Sequence, residues 1–96
     1  MTQHNDIQFI HLAMRFPALY DADGISPWNP DRLDTWAAEE TDEPAAVAAA
    51  QFLLSSWNPG CQWQCGAFDA HRACTVWDSP HRLAYLDWAS RKSLMN

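Results

Sequence analysis

Apolar residues along this chain recur at three- and four-residue spacing, and clusters of Asn, Asp, Ser, Pro and Gly interrupt them where helices begin or end. No run alternates apolar and polar residues over strand length. Asn5 and Asp6 are placed to cap a first helix, with Ile7, Ile10 and Met14 on one stripe and Phe9, Ala13 and Phe16 beside it. Pro17 ends or kinks that helix, and Gly24 closes a loop from Asp21 to Pro27. Asn29-Pro30 reads as an N-cap with proline at the first helical position. The helix that follows is expected to reach about Glu40, burying Leu33, Trp36 and Ala37 and turning Asp34 and Glu40 to solvent.

Thr41 or Asp42 is expected to cap the next helix, with Glu43 in its first turn near the positive end of the helix dipole. Its alanine-rich body, Ala45 to Ala50, has high helix propensity. Val47, Ala50, Leu54 and Trp57 would form its inner stripe, with Leu53 beside them, and Asn58-Pro59-Gly60 stops it. Cys61 to Gly66 connects to a short helix capped by Asp69, with Phe68 as its staple. Ser79-Pro80 opens a last helix, expected to bury Leu83, Leu86 and Trp88 and to end near Arg91-Lys92. The predicted architecture is one all-α domain over residues 1–96, a compact bundle of about five short helices. Two local echoes, Trp28-Asn29-Pro30 with Trp57-Asn58-Pro59 and Leu33 to Ala37 with Tyr85 to Ala89, differ in spacing and so make no regular repeat.

Six tryptophans among 96 residues change the picture of the core. Each can bury about 200 Å², enough for a small domain to stand without a metal or a disulfide. Tryptophan is also an interface residue, and Trp28, beside the acidic loop, is the candidate for an exposed apolar anchor.

Charge is distributed unevenly. Asp21, Asp23, Asp31, Asp34, Glu39, Glu40, Asp42 and Glu43 lie within one stretch that contains a single base, Arg32. The chain's net charge is −6, so outside this stretch it is close to neutral. Concentrated like charge opposes folding by self-repulsion, and the field it makes attracts a basic surface. Asp42, Glu43 and Asp31 can be explained as helix-end residues; Asp21, Asp23, Asp34, Glu39 and Glu40 cannot. An acidic pI near 4.8 speaks against direct binding of nucleic acid or an anionic membrane. No apolar run approaches membrane-spanning length, and the first twenty residues lack a basic segment followed by an uninterrupted apolar one. With three cysteines, an odd number, the expectation is a cytoplasmic protein with reduced thiols and no cofactor.

Two constellations bear on chemistry. Cys61, Cys65, His71 and Cys74 are zinc-ligating in kind, but they lack the two-residue spacing of common zinc knuckles, and core or connector roles are the simpler reading. Cys74 or Cys65 with His71 and Asp69 could supply nucleophile, base and orienting acid, yet Asp69 and His71 are two apart and point to different faces of a helix. No phosphate loop, nucleophile elbow or metalloprotease motif is present, and the expectation is a protein that is not an enzyme.

In length, acidity and the cluster from Asp21 to Glu43, the chain resembles small acidic proteins of phages and mobile elements, among them anti-CRISPR proteins and other DNA mimics. That resemblance implies a stoichiometric inhibitor occupying a DNA-facing basic surface, such as that of a CRISPR surveillance complex or another nucleic-acid-binding protein. Its contact residues would be Asp21, Asp23, Asp31, Asp34, Glu39, Glu40 and Trp28. The rival expectation is a small accessory or homodimeric domain whose acids only solubilise it, with an apolar patch at Trp63, Trp88 or Tyr85.

Overall fold

A computed structural model describes residues 3–95, with side chains described over residues 7–90. Five α-helices follow one another without a strand among the described residues: α1 (Gln3–Met14), α2 (Pro30–Thr35), α3 (Pro44–Trp57), α4 (Ala70–Val76) and α5 (Ser79–Met95). A 3₁₀ turn, Pro17–Leu19, follows α1, and a π-helical turn, Trp36–Glu40, continues α2. The architecture is all-α, as the apolar spacing predicts.

α3 runs through the middle. Its fourteen residues, PAAVAAAQFLLSSW, contain no charged side chain. Ala46 and every residue from Ala48 to Leu54 are buried, far more than one inner stripe; Val47, expected on that stripe, is only half-buried and shares the narrow outer side with exposed Pro44 and half-buried Ser55. The alanines admit neighbouring elements closely, while Phe52, Leu53 and Leu54 fill the space further along. Phe52 meets the rings of Phe16, Phe68, Tyr85 and Trp88 at centroid distances of 5.7, 5.3, 5.3 and 5.1 Å. Trp77 closes this cluster and donates its indole N–H to the Ala45 carbonyl at 3.1 Å, pinning the α4–α5 link to the start of α3. A second aromatic group joins Phe9, Trp28 and Trp57.

Helix ends follow the expected residues in several places. Asn29 Oδ1 accepts from the Arg32 N–H with Pro30 at the first helical position, and Asp69 Oδ1 accepts from the His71 and Arg72 N–H groups. Elsewhere the structure corrects the reading. α3 is entered through Glu43, not Thr41 or Asp42; the Thr41 hydroxyl instead accepts from the Glu43 N–H. Asn5 and Asp6 lie inside α1, and their side chains are outside the described ones. α1 is rotated so that Phe9, Ala13 and Phe16 turn inward while Ile7 and Met14 stay exposed. On α5, Leu83 and Leu86 are 62% and 54% exposed; His81 and Ala84 are buried in their place, with Tyr85 and Trp88 half-buried beside them. α5 also runs past Arg91-Lys92, to Met95. No helix among the described residues is long and apolar enough to cross a membrane.

The turn into α2 depends on Gly24, whose φ is +84°. Its N–H and C=O lie where the chain doubles back: the Gly24 carbonyl accepts from the Asn29 N–H at 2.8 Å. A Cβ there would meet Asn29 O at 2.5 Å and Leu33 N at 2.6 Å, both backbone atoms that cannot swing aside. Gly24→Ala is therefore expected to cost at least about 2 kcal/mol from left-handed strain and the collision together. Gly60, whose added Cβ would find only Asn58 Oδ1 at 3.8 Å, is the control, and Gly60→Ala should move the urea midpoint little. Equal midpoints for the two variants would refute this account of the turn.

Candidate acidic groove

The acidic stretch divides when folded. Asp21, Asp23, Asp31, Glu39, Glu40, Asp42 and Glu43 are exposed, whereas Asp34 is 6% exposed. Asp34 is thus removed from the accessible carboxylates. Its Oδ2 accepts from the Gln64 N–H at 3.0 Å and its Oδ1 from the Cys65 N–H at 2.9 Å, tying the connector after α3 to α2. The sequence signal for this role was absent, because the donors are backbone N–H groups, which any residue but proline supplies. Gln51, buried on α3, fixes the same connector by donating to the Cys65 carbonyl at 2.6 Å.

Trp28 is corrected as well. It is 9% exposed and packs against Phe9 and Trp57, so it is a core side chain and not an exposed anchor. None of the six tryptophans falls in the exposed class. The patch expected at Trp63, Tyr85 or Trp88 is likewise half-buried. The aromatic that does accompany the acids is Trp36, half-buried on the π-helical turn.

An open groove of about 660 Å³ is lined by Asp23, Asn29, Asp31, Arg32, Thr35, Trp36 and Glu40. Three carboxylates share this lining with one guanidinium, and Arg32 Nη1 stands 3.6 Å from Asp23 Oδ1. Both side chains are largely exposed, so this pair orients Arg32 without adding much stability. The π turn shapes one wall. The Thr41 N–H donates to the Trp36 carbonyl five residues back at 3.2 Å, a wider loop than an α-turn, and it carries Glu40 to the same side as Trp36. Asp21 and Glu39 are exposed but do not line the groove.

The other candidate chemistry does not assemble. Among the described residues, no group of three or more His, Cys, Asp or Glu side chains is placed to hold a metal ion, so Cys61, Cys65, His71 and Cys74 are not brought together as a zinc site. Cys61 is exposed, while Cys65 and Cys74 are half-buried. Burial pushes the Cys65 thiol up to about 12, and the neighbouring Asp34 carboxylate adds to the shift. A thiol held protonated is a poor nucleophile. Asp69 is occupied with the backbone of its own helix.

Asp34→Ala is expected to destabilise the fold by about 2–4 kcal/mol, since it removes two hydrogen bonds to a charged acceptor and leaves two backbone donors unpaired. Asp34→Asn keeps one acceptor and removes the charge; near pH 8 it should speed alkylation of Cys65 by lowering the barrier to thiolate formation. In the parent protein, mass spectrometry of iodoacetamide-treated samples should find Cys61 modified well before Cys65. Cys65 reacting as fast as Cys61 in the folded protein would contradict the described environment.

No family model matches the chain, and the searches found no similar curated protein and no similar solved structure.

Proposed function

We propose that this protein is a non-enzymatic binder that presents the acidic α2 surface to a basic, nucleic-acid-binding protein. Its sharpest form is an inhibitor of the anti-CRISPR or DNA-mimic type. The observation that carries the reading is the groove: Asp23, Asp31 and Glu40 converge on one open concavity beside Trp36. Exposed carboxylates on helical backbone can stand in for phosphates opposite lysine and arginine side chains. The indole of Trp36 adds an aromatic wall on which a guanidinium or ammonium can rest. Asp21 and Glu39 extend the negative field beyond the groove. Charges so arranged raise the rate of encounter and fix orientation more than they add raw affinity, and their effect fades as salt screens them.

Asp34 and Trp28 leave the proposed contact set because both are buried. The remaining contact residues are Asp21, Asp23, Asp31, Glu39 and Glu40, with Trp36 in place of Trp28.

A second reading has one observation in its favour. Leu83 and Leu86, three apart on α5, expose an apolar strip that a second copy could cover. In that case the acids only solubilise a small homodimeric domain. Sedimentation at graded concentrations separates the readings, since Leu83→Ser with Leu86→Ser would then restore a monomer.

The decisive variant reverses Asp23, Asp31 and Glu40 to lysine and spares Asp34, whose loss would disturb the fold. Its helical circular dichroism should match the parent. In pull-downs from nuclease-treated bacterial lysate, the parent should retain a basic, nucleic-acid-handling protein that salt releases. With that partner purified, association of the variant should be slower by roughly tenfold or more at low salt. Equal retention by parent and variant would overturn the proposal.

A further inference from the structure

Two side-chain links fasten α5 to the segment that follows α1. Arg15 Nη1 meets Asp87 Oδ2 at 2.6 Å, at a partly exposed position. The other link uses His81 in the first turn of α5, 4% exposed, with both ring nitrogens committed. Nε2 lies 3.0 Å from the backbone nitrogen of Ala18 in the 3₁₀ turn, and Nδ1 lies 2.5 Å from Asp78 Oδ1. A backbone N–H only donates, so Nε2 must offer a lone pair. An ionised carboxylate only accepts, so Nδ1 must carry the hydrogen. His81 holds the Asp78 carboxyl below the usual carboxylate range, which keeps that acceptor ionised. One tautomer of the neutral imidazole satisfies both partners. The ring is also packed between Phe16 and Trp77, at centroid distances of 5.7 and 6.3 Å, so it cannot exchange its two nitrogens without loosening its neighbours.

We infer that His81 is an acid-released latch: a proton added at Nε2 sets two N–H donors against each other, breaks the bond from Ala18, and frees the Pro17–Leu19 turn from the start of α5. The sign follows from the acceptor. The link needs the neutral ring, so it is lost in the acid direction, when a proton takes the Nε2 lone pair. Asp78, depressed, is still a carboxylate when that happens and pairs with the imidazolium at Nδ1.

Asp78 comes from the α4–α5 link, Tyr85 lies one turn along α5, and Asp87 further along is held by Arg15 from the end of α1. α3 brings no ionisable side chain, and on the α4 side Arg82 donates to the Cys74 carbonyl. After release, α5 keeps its hold through Tyr85 and Trp88 against Phe52, so the motion is confined to its first turn and the 3₁₀ turn.

The test is a pH titration of the full ¹⁵N-labelled chain by NMR, from pH 8 to pH 5, following the His81 ring nitrogens and the Ala18 amide. At pH 8 the ring should show the Nδ1–H tautomer. The Ala18 amide proton should then move upfield with the same midpoint as the ring. In His81→Gln the side-chain carbonyl can accept from Ala18 without titrating, so the Ala18 amide should stay still. Asp78→Asn, which removes the carboxylate that favours the imidazolium, should carry the midpoint of the Ala18 shift to lower pH. A flat Ala18 amide in the parent would overturn the latch. So would the Nε2–H tautomer at pH 8, an equal shift in His81→Gln, or an unmoved midpoint in Asp78→Asn.

Discussion

Everything in this fold is arranged around a helix that cannot face water. α3 has no charged residue, and of the positions from Ala46 to Leu54 only Val47 is not buried. Burying apolar surface is the dominant favourable term in folding, and in a chain this small one helix buried all round is an efficient use of it. The cost is that neighbours must come from every direction, which is why short elements replace long ones. α2, the 3₁₀ turn and α4 each give α3 one flank, and their ends are fixed by specific polar contacts: Asn29 for α2, Asp69 for α4, Trp77 to Ala45 at the entry to α3.

The same constraint decides what could be read from sequence. Most helix boundaries are legible because they rest on local chemistry: Asn29-Pro30 at the start of α2, Asp69 before α4, Asn58-Pro59-Gly60 after α3; the start of α3 is not, because Thr41, Asp42 and Glu43 all offer themselves as its entry. Helix faces are less so. An inner stripe presumes a broad outer face, and α3 keeps only a narrow one at Pro44, Val47 and Ser55; α5 carries apolar residues on two faces, so its pattern fits two rotations. The buried choice on α5 went to the face with His81 and Ala84, where the imidazole gains two partners and a ring packing that Leu83 could not replace. Trp28 was misplaced for a related reason: its neighbours in sequence are loop residues, and its neighbours in space, Phe9 and Trp57, come from α1 and α3.

Asp34 illustrates the limit for charge. In sequence it is one of eight acids in a run, with nothing to set it apart. Folding separates it from the others by offering two backbone N–H groups in a fixed pair, at 3.0 and 2.9 Å, and that pairing offsets the cost of taking a carboxylate out of water. The result couples two parts of the molecule. The connector through Cys65 is held to α2 by Asp34 and to α3 by Gln51, so the backbone that carries the exposed acids is braced from behind.

That bracing bears on how the groove can act. Carboxylates on a mobile loop would have to be ordered on binding, at an entropic cost of about 0.5–1.5 kcal/mol for each immobilised side chain. Asp31 and Glu40 instead extend from successive helical turns anchored by buried residues, Leu33 and Asp34 in α2 and Ala37 in the π turn, with Asp34 hydrogen-bonded to the connector. Only side-chain rotamers remain to be fixed. The wider π turn between the two is what brings Glu40 to the groove with Trp36, whereas Glu39, one residue earlier, points outside it. Spacing of the charges is thus a property of the backbone. A partner that matches it must do so with side chains in a fixed register, which makes the geometry of Asp23, Asp31 and Glu40 more informative than their total charge.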